Sequence, residues 1–108
     1  MKLLTAKIIK RLPKLGATDG MPAKDRKVLC KFFSPFSNWT WYTLEGESRE
    51  GGDYEFFGYV RGFEKEYGYF TLSELEGARR GDLPLVERDM HYGDHTLQEV
   101  LDGDQAAL

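Results

Sequence analysis

Trp39-Thr40-Trp41-Tyr42-Thr43-Leu44, Tyr54-Glu55-Phe56-Phe57-Gly58-Tyr59-Val60 and Tyr67-Gly68-Tyr69-Phe70-Thr71 decide the fold. Each run is built from aromatic and β-branched residues, which fit a pleated surface better than a helix. The gaps between them are rich in Gly and charged residues, the composition of hairpin turns. Three consecutive strands joined this way form an antiparallel meander. Lys27-Val28-Leu29-Cys30-Lys31-Phe32-Phe33 adds a strand in front, with Val28, Cys30 and Phe32 on one face by period two. Ser34-Pro35-Phe36-Ser37-Asn38 turns it into the next strand. Gly58 inside an otherwise bulky strand marks a bulge or a close approach by another group. Glu45–Asp53 reads as a polar hairpin loop.

Outward from this sheet, Thr5 caps a short first helix that Pro13 ends, with Leu4, Ile8, Ile9 and Leu12 as its inner face. Residues 16–26 form a surface loop. Thr71 or Ser73 starts a second helix over residues 74–79. Pro84 marks Leu83–Arg88 as an edge strand, and Glu87-Arg88-Asp89 pairs its charges with neighbouring strands. Thr96 and Glu99 form a capping box for a last helix over residues 96–101, which Gly103 stops. Residues 104–108 read as a frayed tail. The expectation is an α+β protein of a single domain, residues 1–108, with a four- to five-stranded, mainly antiparallel meander sheet and three short helices.

Composition narrows the function. The 108 residues carry 41% hydrophobic, 31% charged and 14% aromatic side chains, an ordinary globular mixture enriched in aromatics. No apolar run reaches the roughly 18 residues of a membrane span, and the first residues lack the apolar core of a secretory signal. The lone cysteine, Cys30, has no partner for an internal disulfide, which fits a cytoplasmic protein. The net charge of −3 conceals an asymmetry. Residues 1–31 hold nine Lys/Arg and two Asp, net +7. Residues 32–108 hold six Lys/Arg and sixteen Asp/Glu, net −10.

Few constellations carry chemistry. His91 and His95 are four apart, but Gly93 between them breaks helical geometry, so neither a metal nor another cofactor is expected. Cys30 sits on an apolar strand face, where a small buried hydrophobe is the simpler reading than a nucleophile. Glu45, Glu47, Asp53 and Glu55 flank one hairpin, with Tyr42 and Tyr54 beside them and Glu64 and Glu66 at the next turn. These carboxylates lack the burial that splits catalytic pKa values. They form instead an acidic, aromatic surface suited to a basic protein. Base stacking on the aromatics is disfavoured, because residues 39–70 carry three cations against seven acids. A competing reading places nucleic acid on the basic segment: Lys7, Lys10, Arg11, Lys14, Lys24, Arg26 and Lys27.

A set of motifs also occurs in a fixed order. Lys31-Phe32-Phe33-Ser34-Pro35, Asn38-Trp39-Thr40-Trp41-Tyr42, Phe56-Phe57-Gly58, Gly62-Phe63-Glu64, Gly68-Tyr69-Phe70-Thr71-Leu72-Ser73-Glu74-Leu75 and Leu83-Pro84-Leu85-Val86-Glu87-Arg88-Asp89 follow one another across the chain. This arrangement resembles the bacterial family catalogued as domain of unknown function 2958, over roughly residues 1–101. The resemblance implies a small protein of plasmids and other mobile elements, with no activity, cofactor or catalytic residue to transfer. Together these readings lead to an expected function. It is a non-enzymatic interaction protein whose acidic hairpin, through Tyr42, Glu45, Glu47, Asp53, Tyr54 and Glu55, contacts the basic surface of a host protein. In its most specific form it is an anti-defence inhibitor, anti-CRISPR or anti-restriction, covering a nuclease's nucleic-acid site. The alternatives are a nucleic-acid-binding accessory protein and a small enzyme using His91, His95 or Cys30.

Overall fold

The computed structural model describes residues 1–106. Helix α1 spans Ala6–Arg11; the Thr5 hydroxyl accepts the Ile8 amide at 3.3 Å, and Lys10 and Arg11 sit in the last turn, where cations oppose the helix dipole. Ile8 and Leu12 pack inward, but Ile9 is exposed. The expected four-residue inner face fails there because a step of five residues rotates about 140° from Leu4.

Strands β1 (Lys27–Val28), β2 (Cys30–Phe33), β3 (Thr40–Ser48), β4 (Tyr54–Arg61) and β5 (Lys65–Thr71) follow, then α2 (Leu72–Gly77), β6 (Arg79–Arg80), β7 (Leu83–Pro84), β8 (Glu87–Arg88), β9 (His95–Thr96) and α3 (Leu97–Ala106). The main sheet has the order β5-β4-β3-β2-β8, every pair antiparallel. This is the expected α+β meander, with five strands and three helices. Small two-stranded ribbons join β1 to β9 and β6 to β7.

Three expectations about the strands are corrected. The run over residues 27–33 breaks at Leu29, whose amide donates to the Thr43 carbonyl at 2.8 Å. The break turns the chain over, so Val28 packs with Leu44 and Leu97 while Cys30 and Phe32 pack with Phe56. Strand β3 does not stop at Leu44. It continues through Glu45, Gly46, Glu47 and Ser48, and the turn shrinks to residues 49–53 with its single 3-10 turn, Glu50–Gly52. The Leu83–Arg88 segment splits, with Pro84 in the β6–β7 ribbon and Glu87-Arg88 forming the far edge of the main sheet.

Both faces of the sheet are covered in part. Phe32, Phe56, Phe70, Leu3, Leu4, Leu75 and Val86 form one core, and Tyr42, Leu44, Tyr59, Val28, Leu97 and Val100 form the other. Gly58 holds the centre. A bulge opposite it shifts the register between Thr43 and Glu45, so that Thr43 faces Gly58 and Glu45 faces Phe57. A Cβ at Gly58 would run into the Tyr42 carbonyl oxygen. Bulge and close approach, both anticipated from the glycine, therefore occur together.

The last helix also differs from expectation. Thr96 caps it as foreseen, accepting the Glu99 amide at 3.3 Å, but Gly103 does not stop it and α3 runs to Ala106. Asp104, placed in a frayed tail by the sequence reading, is a buried helical residue. Residues 107–108 of that tail lie outside the described residues.

Candidate interaction surface

The acidic hairpin is largely turned to internal use. Glu45 is 2% exposed, which corrects its reading as a surface carboxylate. The bulge at Leu44 sets it opposite Phe57, facing the 16–26 loop. Its oxygens accept the Gly16 amide at 2.7 Å, the Thr18 amide at 2.9 Å and the Thr18 hydroxyl, and they pair with Arg26 at 3.1 Å. Burial alone would raise this carboxyl. The bonds from Thr18, Gly16 and Arg26 outweigh burial and hold it below its ordinary value. Glu47, exposed, accepts the Leu15 amide at 3.0 Å. The long loop thus has its backbone donors met by two carboxylates from one strand. That is why Glu45 and Glu47 can stay in β3 instead of ending it.

The other hairpin residues have structural partners too. Asp53 accepts the Ser73 amide at 3.0 Å and the Ser73 hydroxyl at 2.7 Å, tying the turn to the start of α2. The Ser73 hydroxyl leads the interactions that lower the Asp53 carboxyl. Glu55 pairs with Arg49 at 2.6 Å. Tyr54 stacks on Phe56, and Tyr42 is 5% exposed beneath α3 and the 89–95 segment. Glu47 and Glu55 lie directly opposite each other. Of the six residues singled out for a partner, these two alone carry charge side by side, while Tyr42 and Glu45 are inside the protein.

The basic segment divides as well. Lys7, Lys10, Arg11, Lys14, Lys24 and Lys27 are exposed. Arg26 is consumed by Glu45, with 11% of its side chain exposed, and lies over the Phe57 ring. A cleft of about 530 Å³ between α1 and residues 88–94 gathers Lys7, Arg11 and Arg88, but Asp89 and Asp94 line it too. Asp89 reaches Lys31 at 3.9 Å, the charge pairing foreseen for the Glu87–Asp89 segment.

Cys30 is buried, and its thiol is pushed up to about 11, first by burial. A thiol in that state is a poor nucleophile at neutral pH. His91 is exposed; His95 hydrogen-bonds Glu99 at 2.7 Å. No group of three metal-ligating side chains occurs among the described residues, nor is any helix there long and apolar enough to cross a membrane.

Two features escaped the sequence reading. The first is a polar knot under α3. The Tyr59 hydroxyl donates to Asp104 at 2.6 Å, Asp104 also pairs with Arg61, and Arg61 and Lys31 each lie over the Tyr42 ring. Burial first, then Asp104, pushes the Tyr59 phenol up to about 12. The signal was hidden because Gly103 masked the helix that carries Asp104.

The second is the β4–β5 hairpin. Phe63 at its tip is 96% exposed, Tyr69 67% and Tyr67 48%. Burying such a side chain is worth about 1.5–3 kcal/mol, so three exposed on one hairpin forgo a large stabilisation. Tyr67 and Tyr69 stand with Phe57 on one face, at ring separations of 6.1 and 5.0 Å. Strand β5 is also the open edge of the sheet, with no strand paired to its outer side among the described residues. The sequence reading placed Tyr67 and Tyr69 in a strand, but did not show that β5 ends the sheet. Glu64 and Glu66 line this hairpin, exposed and in no ion pair among the described residues. The most exposed aromatic side chains therefore lie one hairpin away from the acidic hairpin singled out in the sequence.

No curated protein and no solved structure matches the chain. A family model does, over residues 3–106, and it carries the description protein of unknown function, DUF2958. With nearly its whole length matched, the chain belongs to that family.

Proposed function

We propose that the protein is a non-enzymatic binding module that docks on a basic protein surface through its β4–β5 hairpin. The observation that carries this is the exposure of Phe63, Tyr67 and Tyr69 on one open-edged hairpin beside the free carboxylates of Glu64 and Glu66. Tyrosine and phenylalanine are favoured at interface centres, an open edge can accept a partner's strand, and acids on the rim steer a basic partner. In its most specific form the partner is a host defence nuclease whose nucleic-acid site is covered, and the protein serves a mobile element.

The test is affinity capture from bacterial lysate with and without nuclease treatment, using wild type and Tyr67→Ser/Tyr69→Ser. The reading expects a stoichiometric protein partner that survives nuclease and is lost with the double variant. A partner set that vanishes on nuclease treatment overturns it. That outcome favours a second reading, nucleic-acid binding, supported by six exposed cations at Lys7, Lys10, Arg11, Lys14, Lys24 and Lys27. Each phosphate they neutralise adds about −0.9 to the slope of log affinity against log salt.

A further inference from the structure

A cavity of about 290 Å³ lies at the tip of the β4–β5 hairpin, lined by Trp39, Val60, Gly62, Phe63, Glu64 and Glu66. Its base is aromatic. Trp39 stacks on Trp41 with ring centres 5.7 Å apart, and Phe63 meets Trp39 edge-on at 5.4 Å. Gly62 makes this possible, since any side chain there would collide with the indole. The turn is closed by the Gly62 amide donating to the Glu64 carbonyl at 2.9 Å, which fixes the two residues flanking Phe63.

The walls are acidic. Val60 pairs with Glu66 across the hairpin, and Trp41 pairs with Val60, so all three project from one side of the sheet. Arg61 and Lys65 are the next pair along and therefore project from the other side. The two neighbouring cations thus do not neutralise Glu64 and Glu66.

We propose that this cavity takes an arginine side chain of the partner protein, the guanidinium lying against Trp39 and Phe63 with Glu64 and Glu66 as its anionic partners. Aromatic faces attract a cation through their quadrupole. A planar guanidinium both stacks and donates to carboxylates, which a compact ammonium does less well. The proposal rests on the docking reading above for its partner, and it names the chemistry that hairpin recognises. It accounts for a phenylalanine left in water at the very tip, where no described residue buries it.

The experiment is an NMR titration of the full chain with the blocked tripeptide Gly-Arg-Gly, following the Trp39 indole and Phe63 ring signals. Gly-citrulline-Gly supplies the same shape without charge, and Gly-Lys-Gly the charge without the plane. The expected result is saturable shifts at Trp39 and Phe63 with the arginine peptide, about tenfold weaker with citrulline and weaker with lysine. Phe63→Ala and Glu64→Gln/Glu66→Gln should each abolish them while the rest of the spectrum stays in place. Equal shifts with citrulline, or none with arginine, overturn the proposal. Lysine binding as tight as arginine overturns the choice of side chain. Failure here leaves the nuclease-resistant capture by the tyrosine edge to be judged by its own assay.

Discussion

Replacing Glu45 by glutamine tests whether the long loop is held by a buried charge. The substitution keeps the side chain's shape and removes its charge. Arg26, with 11% of its side chain exposed, then lacks its ion-pair partner. Breaking a buried pair from one side costs about 3–5 kcal/mol, because the remaining charge stays desolvated. The Gly16 and Thr18 amides lie on a surface loop and recover water when released, so they add little. Glutamine can still accept one hydrogen bond, which places the expected loss near the lower bound, about 3 kcal/mol. For a domain of this size that is a fall of about 12 °C or more in Tm.

Urea denaturation followed by tryptophan fluorescence measures the loss, and hydrogen exchange locates it. The Gly16 and Thr18 amides should exchange faster, while the β4 amides follow global stability. The pH dependence has a definite sign. Glu45 is held below its ordinary value of 4.5, so its contribution is full above that pH and is lost as pH falls through the lower folded value. The stability gap between wild type and Glu45→Gln should close over that window. A loss under about 1 kcal/mol at pH 7, or unchanged exchange at Gly16 and Thr18, refutes the reasoning. The double variant Arg26→Met/Glu45→Leu should be more stable than Glu45→Gln, since it leaves no orphaned charge.

Asp104→Asn should lower the Tyr59 phenol from about 12 toward 10, visible in a tyrosinate absorbance titration; no change would remove Asp104 from the knot. In wild type the raised phenol contributes stability that is intact below pH 10 and lost as pH climbs toward 12, so alkaline unfolding should begin in that window. Cys30, buried with its thiol near 11, should react with a disulfide reagent at pH 8 only at the rate of unfolding, and rapid labelling of the native protein would refute its placement. Gly58→Ala should cost about 2–3 kcal/mol by overpacking, measured by urea denaturation, because its Cβ has no room beside the Tyr42 carbonyl.

Local pattern carried the sheet and the caps. Thr5 and Thr96 cap the helices they were read to cap, and of the two caps offered for the second helix, Thr71 and Ser73, it is Thr71 that accepts the Glu74 amide, because a cap depends on residues within one turn. The meander was legible for the same reason: hairpins pair strands close in sequence. What was not legible depends on distant partners. Glu45 and Glu47 read as a loop because carboxylates are costly in a strand interior unless matched, and their matches lie about thirty residues upstream. Gly103 read as a stop because its cost in a helix is local, while the offsetting bonds of Asp104 come from Tyr59 and Arg61 in β4. The open edge at β5 is a property of the whole sheet, and no window of sequence contains it.

The charge asymmetry follows from the same long-range pairing. Part of the +7 of the first segment is spent on the −10 of the rest: Arg26 with Glu45, Arg11 with Asp94, Lys31 with Asp89. These contacts differ in weight. The Arg26 pair is buried, whereas Arg11 and Asp94 have side chains 54% and 84% exposed and contribute little. Among the charges that internal pairing leaves over are Lys7, Lys10 and Lys14 on α1 and the loop after it, and Glu64 and Glu66 at the β4–β5 tip. A solvated surface alone would scatter such charges among polar residues. Here Glu64 and Glu66 adjoin the most exposed phenylalanine of the chain, on the hairpin whose other face carries two exposed tyrosines. Exposed rings and unpaired carboxylates beside them oppose each other as devices for solubility. They agree as halves of the contact we propose, in which a partner's cation is held while the ring beside it leaves water.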